Sequence, residues 1–409
     1  MQGQDEAGHL PAEPLAWREA MRVLGPLAPA GAPVDLVPVV EQALARVARA
    51  AGLTVLVNDP HRATASEAIL RLIAERVDPA GIRILVATGT HGFSAPARGQ
   101  FEGALAAGLA GPVGQIAWHD CRSGKLAAIG RSRPWRGHRW LLERPGLLAI
   151  GSTEPHYFAG FTGPHKTATI GCASYGDVEA NHAGALSDRC RPGRMEGNPV
   201  HEGVAAMLAE LEAVRPVAAV NLLQSGRAVL AAASGRPLEA LAALAPAARQ
   251  AFMHVISEPA DALVLEVSGP LGISLYQADK GIKNNEWSVR DGGAMVLAAP
   301  CPAGLGQDAF VDLLRQAPGH RQAVELVARR GYRLGDHKAV RLRYLTDPAC
   351  RGVKVLLVSN GISAEQAAVL GMTKARDVPH ALAAAGIDPR SGRVYCVQDA
   401  GNVCVTATF

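Results

Sequence analysis

Aromatic residues make up only 4% of this 409-residue chain. Its interior must therefore rely on aliphatic and small side chains, and abundant alanine with 44 glycines suits helices packed closely on sheets. Cysteine is also scarce. The seven, Cys121, Cys172, Cys190, Cys301, Cys350, Cys396 and Cys404, show no C-x-x-C spacing, and their odd number leaves at least one unpaired in a monomer. They read as reduced core thiols of a cytoplasmic protein. Charge of one sign is lacking: a formal net charge of +4 over this length argues against nucleic acid or an anionic membrane as partner and leaves a small molecule. No uninterrupted apolar run is long enough to span a bilayer, and the start, M-Q-G-Q-D-E-A-G-H-L-P, has no basic stretch followed by an apolar one. Neither membrane insertion nor secretion is expected.

What is present is globular, with 48% hydrophobic and 19% charged residues, and the length calls for two domains. Helical apolar spacing over Val37–Ala51 leads into a continuous apolar strand, Leu53–Val57. The pattern repeats with a helix over Ala65–Val77, a strand over Ile82–Ala87 and a helix over Pro96–Ala107. Such alternation predicts a parallel sheet with helices on both faces. Leu147–Ile150 reads as another buried strand, Asp177–Leu186 as a helix, and Asn198-Pro199 as cap and first residue of a helix over Val200–Val214. Val217–Leu222 and Ala228–Ala233 read as paired strands, and Leu238–Ile256 as a long Ala-rich helix joining two domains. A boundary near Ser257 separates domain 1–257 from domain 258–409. The second domain repeats the alternation, with strands Ala262–Val267, Ala294–Ala299, Val353–Val358 and Val394–Val397, a helix from Leu275, and helices Phe310–Gln316 and Ala364–Leu370. The predicted fold is two α/β domains with mainly parallel, Rossmann-like sheets and the active site at their interface.

Polar clusters stand at the strand ends, where open α/β sheets place ligands. The most distinctive is Glu154 to Lys166, E-P-H-Y-F-A-G-F-T-G-P-H-K, a string that core packing does not call for. Others are Asp59 and Arg62 in N-D-P-H-R, His91 in T-G-T-H-G-F-S, His182 in E-A-N-H-A-G-A-L, and Tyr276-Gln277 with Lys280. Each has an ordinary structural explanation when taken alone. Asp59 suits an Asx turn, His182 a polar helix face, and Gln277 with Lys280 a solvated i, i+3 pair.

Together, in this order, the residues resemble the nickel-dependent lactate racemase family. That family carries D-x-x-R after its first strand, G-x-H after its second, then P-H-[FY]-F-A-G-F-x-G-x-x-K, N-H, E-G-N-P and Y-Q-x-x-K. Here these are Asp59 and Arg62, Gly89-Thr90-His91, Pro155-His156 through Lys166, Asn181-His182, Glu196 to Pro199, and Tyr276-Gln277 with Lys280. The resemblance implies a 2-hydroxy acid racemase or epimerase, an isomerase working by reversible hydride transfer to a nickel pincer nucleotide. That cofactor is the pyridinium-3-thioamide-5-thiocarboxylic acid mononucleotide of nickel, and it implies cofactor-assembly enzymes as partners. By the same resemblance Lys166 holds the cofactor covalently, His182 ligates nickel, and His91 and His156 are the acid/base pair. Asp59 and Arg62 would contact the cofactor, while Arg62, Tyr276, Gln277 and Lys280 would contact the substrate.

Two departures bear on the substrate. Gly92 follows His91 where the family often has arginine, and G-P-H precedes Lys166 in place of the commoner G-G-R. Both remove a basic contact and predict a larger, less acidic 2-hydroxy acid than lactate. Two other readings of the loop are a lysine Schiff-base enzyme using pyridoxal phosphate on Lys166, and an inactive nickel- or nucleotide-binding relative.

Overall fold

The computed structural model describes residues 15–27, 33–47, 52–107, 109 and 115–408. The chain divides into two compact units: Met1–Leu27, Pro155–Tyr157 and Gln250–Phe409 form one, Ala28–Glu154 and Phe158–Arg249 the other. The sequence sets a single cut near Ser257; the structure passes between units more than once. Arg22–Leu24 pairs in parallel with Val394–Val397, which ties a segment near the N-terminus to the C-terminal sheet. Local periodicity carries no information on so distant a pairing.

The sheet of the second-named unit has six strands in the order Ala228–Gly235, Ala218–Ser225, Gly146–Ser152, Leu53–Asn58, Ile82–Ala87, Gln115–Trp118. All neighbours run parallel except the first pair, which is antiparallel because only the two residues Gly226 and Arg227 join its strands, as in a hairpin. Its central strands are buried along nearly their whole length because helices cover both faces. Val55, Val57, Ile84, Val86, Leu148 and Ile150 meet Ile69, Leu70 and Ile73 of the helix Ser66–Ala74 in one core. Each such side chain, fully withdrawn from water, contributes roughly 1.5–3 kcal/mol. Chain order reverses between Leu53–Asn58 and Gly146–Ser152, so this sheet's switch point opens where those two strands end.

The other unit's sheet is parallel throughout, in the order Arg22–Leu24, Val394–Val397, Ala260–Glu266, Val289–Ala298, Lys354–Val358, Met372–Ala375. The helix Leu275–Asn285 follows its central strand Ala260–Glu266. The α/β class with mainly parallel sheets is as the sequence predicts. Most predicted elements are present, Ile82–Ala87 and Val394–Val397 with identical bounds. One reading is corrected. The Ala-rich helix spans Pro237–Phe252, and Met253–Ile256 leaves it as a strand beside Cys404–Ala407. Strand pairing across the chain here overrides the helical run, and the β-branched Val255 and Ile256 favour it. The last residues expected in the helix Val37–Ala51 lie outside the described residues. The helices His320–Arg330, Asp336–Thr346 and Val378–Ala385 are additional to the prediction. No described helix is long and apolar enough to cross a membrane.

Candidate active site

Three of the predicted loops leave adjacent strand ends of one sheet. Asp59 and Arg62 follow Leu53–Asn58, His91 follows Ile82–Ala87, and Glu154 follows Gly146–Ser152. The Asp59 loop is an Asx turn, with the carboxylate Oδ1 accepting from the His61 backbone N–H at 2.9 Å. Its other oxygen lies 2.8 Å from His91 Nδ1. A buried carboxylate that accepts a hydrogen bond from Nδ1–H fixes the tautomer and leaves Nε2 to accept a proton. Burial raises the Asp59 carboxyl, yet the His91, His61 and Arg62 side chains outweigh it and hold the group below its ordinary value. Arg62 reaches Glu154 at 3.9 Å.

The Glu154–Lys166 segment is closed by Thr162. Its hydroxyl donates to the Ser152 carbonyl at 2.7 Å and accepts from the Glu154 N–H at 2.8 Å, while Thr162 N–H returns a bond to the Glu154 carbonyl. Chain crowding explains the small residues. A Cβ on Gly151 would lie 2.4 Å from the Pro164 nitrogen, so the strand end and the Lys166 turn approach at a distance only glycine permits. Asn58 joins the neighbouring loops, donating to Thr64 and accepting from Thr167, both at 2.8 Å.

Phe158 gathers the next two residues. Lys166 Nζ lies 5.6 Å from its ring centre, and the His182 ring meets it edge-on at 4.9 Å. His182 is carried on the helix Tyr175–Ala183, started by the Ser174 cap, and its Nδ1 is 3.2 Å from Asn181 Oδ1. Burial, with Lys166 and His91 nearby, pushes this imidazole down to about 3. It is therefore neutral at physiological pH, the form in which imidazole binds metal.

The E-G-N-P motif has a positional task. Asn198 caps the helix Pro199–Glu212 through Oδ1, while its Nδ2 donates to the Phe158 and Arg194 carbonyls, each at 2.9 Å. It thereby pins the backbone whose ring touches Lys166 and His182. Asn198 is fully buried, so Asn198→Ala is expected to lower stability by about 2–4 kcal/mol, combining a lost cap with unsatisfied buried carbonyls. Urea unfolding checks this; an unchanged midpoint would contradict the role.

In the unit containing Gln250–Phe409, His156 is buried and stacks on Tyr157 at 5.1 Å. The Tyr157 hydroxyl is 3.0 Å from His337 Nε2, and His337 Nδ1 is 2.7 Å from the Tyr332 hydroxyl. Tyr276, Gln277 and Lys280 lie on the helix Leu275–Asn285, with Lys280 donating to Asn402 at 3.2 Å. Lys338 sits 4.2 Å from the Tyr276 ring centre and 3.6 Å from Asp279. Burial pushes its amine down to about 8, against the pull of Asp279.

The sequence alone did not single out His61, Phe158, Asn198, Tyr157, His337 or Lys338 as site residues. Phe158 and Tyr157 lie inside the Glu154–Lys166 string and Asn198 inside E-G-N-P, so their signal was there as motif context; His337 and Lys338 carried none.

The sequence matches the lactate racemase N-terminal domain over residues 36–193 and the lactate racemase C-terminal domain over residues 255–405. The chain belongs to the lactate racemase family. Among curated members of that family, lactate racemase of Thermoanaerobacterium thermosaccharolyticum is 26% identical over 374 residues, covering 86% of this chain and 84% of that protein. Lactate racemase of Lactiplantibacillus plantarum is 26% identical over 286 residues, 67% of this chain and 66% of its own length. The lactate racemase apoprotein structure from T. thermosaccharolyticum has the same fold, with a TM-score of 0.79 at 22% identity and 95% of each chain covered. A Thermotoga maritima protein gives 0.73 at 16% identity over 93% of this chain and all of its own. Members of the lactate racemase family are isomerases, and this chain is placed among them.

Proposed function

We propose that this chain racemises or epimerises a 2-hydroxy acid with a nickel pincer nucleotide held covalently on Lys166 and through nickel on His182. The observation that carries the reading is the meeting of Lys166 and His182 on one face-and-edge contact with Phe158, beside an Asp59–His91 pair. The donor set fits such a group. A lysine amine suits a covalent link, and a neutral buried imidazole is a suitable single ligand for a Ni(II) whose other donors come from the cofactor itself. When bound, the cofactor supplies the centre that takes up and returns the C2 hydrogen.

The chain's own residues supply the proton chemistry. His91, with Asp59 on Nδ1, is set to take a hydroxyl proton at Nε2 and to give it back. His156 does the same for the opposite enantiomer, because the two present their hydroxyls on different sides. Arg62, Tyr276, Gln277 and Lys280 bind the substrate, with the cations holding its carboxylate and Arg62 and Asp59 also serving the cofactor. This reading uses all three histidines, whereas pyridoxal phosphate on Lys166 would use none of them. Cofactor-assembly enzymes are the partners it requires.

The substrate we infer is larger and less acidic than lactate. A Cβ on Gly92 would meet nothing within 4 Å, which leaves open space where the family often carries arginine. Racemisation of a series of 2-hydroxy acids in deuterated water tests the reading, with larger members expected to turn over faster than lactate and the C2 hydrogen retained. Solvent deuterium at C2 would mean carbanion chemistry and remove hydride transfer; a preference for lactate would remove the inference on size.

A further inference from the structure

His61 has no part in the reaction just described, yet its ring is turned toward the same point as His91 and Asp59. Its Nδ1 lies 3.3 Å from His91 Nδ1, which in turn lies 2.8 Å from Asp59 Oδ2. The ligand atoms of Asp59, His61 and His91 all fall within 4.8 Å of one another. At a metal–ligand distance of about 2.1 Å, separations of 3.3 and 2.8 Å subtend roughly 104° and roughly 84°, within the range of tetrahedral or octahedral coordination. The three residues are well anchored. The Asx turn fixes His61 to Asp59 through its own backbone, and Phe93 packs on the His61 ring at 4.7 Å, backed by Trp118 at 5.3 Å. Asp59 is 4% exposed, while His61 and His91 are half-buried, so the cluster is built into the fold and is still open to an ion from solution.

We propose that Asp59, His61 and His91 form a divalent transition-metal site, separate from the nickel position on His182, and that Zn(II) bound there switches off His91 as a base. Two imidazoles and one carboxylate suit Zn(II) or Co(II) and leave a coordination position for water. The switch follows from the tautomer. Without metal, Asp59 accepts a hydrogen bond from His91 Nδ1–H and Nε2 carries the lone pair. With metal on Nδ1, the single proton of the neutral ring moves to Nε2, which can no longer accept one. No proton is gained or lost by the ring. The loss of turnover rests on the base role of His91; the metal site itself does not.

The test is titration of the chain with Co(II), followed by visible d–d absorption, with Zn(II) as competitor, on protein made with and without the cofactor-assembly enzymes. One equivalent of Co(II) displaced by Zn(II) is expected. His61→Gln is expected to weaken it by about a hundredfold or more, beyond the range for loss of a supporting residue around a metal ligand. Asp59→Asn should weaken it as well, and His182→Ala should leave it unchanged; circular dichroism establishes that each variant is folded. Absence of a stoichiometric site, or its loss in His182→Ala, overturns the proposal, as does full affinity in His61→Gln. In active protein Zn(II) should inhibit racemisation and His61→Gln should resist it. Binding without inhibition would overturn the switch, and binding in a chain with no racemase activity would keep the metal site while ending the functional reading.

Discussion

Lys166→Ala, expressed alongside the cofactor-assembly enzymes, is expected to show the mass of bare polypeptide under denaturing conditions and no racemase activity, whereas the unaltered chain shows an added covalent mass. The expectation follows from position. Lys166 stands on a turn pressed against Gly151 so closely that no side chain fits between, and its amine lies over Phe158 beside His182. The backbone is therefore held by contacts the substitution leaves in place, and Lys166→Ala should fold with an unchanged unfolding midpoint. An adduct persisting on this variant would move the attachment elsewhere. The unaltered chain made without the assembly enzymes should fold and lack activity, because two cores of this size are independent of the cofactor.

His91→Ala and His156→Ala are each expected to lower turnover by about two orders of magnitude or more while retaining nickel, the usual size of a general acid/base contribution. His182→Ala should lose the metal. Nickel content by elemental analysis, set beside turnover of each enantiomer, separates the roles. Equal metal loss in all three variants would show that the roles are misassigned. Asp59 sharpens the prediction for His91, because a carboxylate on Nδ1 commits Nε2 to proton transfer and gives the first histidine a partner that is already in place. His156 has a different setting, stacked on Tyr157, whose hydroxyl is bonded to His337. The two variants are therefore expected to differ in which enantiomer they still process.

Much of this was legible along the chain. Buried strands such as Ile82–Ala87 and Val394–Val397 announce themselves as short apolar runs, since a strand covered on both faces needs no polar alternation. Asn198-Pro199 marks a helix start because one side chain and one fixed φ meet local backbone needs. The order of motifs put His91, His156, Lys166 and His182 among the candidate residues. These are properties of neighbours in sequence.

Other features depend on pairing between distant segments, which no local pattern encodes. The strand Met253–Ile256 exists because Cys404–Ala407 lies beside it, and Arg22–Leu24 joins a sheet whose other strands begin past residue 250. Asn198 looked like a cap, and only folding adds the bonds to Phe158 and Arg194 that make it a support for the Lys166 and His182 contact. His61 read as part of a turn. Its meeting with His91, thirty residues away, needs two parallel strands to end side by side. Composition, strand periodicity, caps and motif order were thus determined by the sequence itself, through interactions within a few residues. Which rings and carboxylates converge was decided by the tertiary structure, because register between non-adjacent strands sets where their loops emerge.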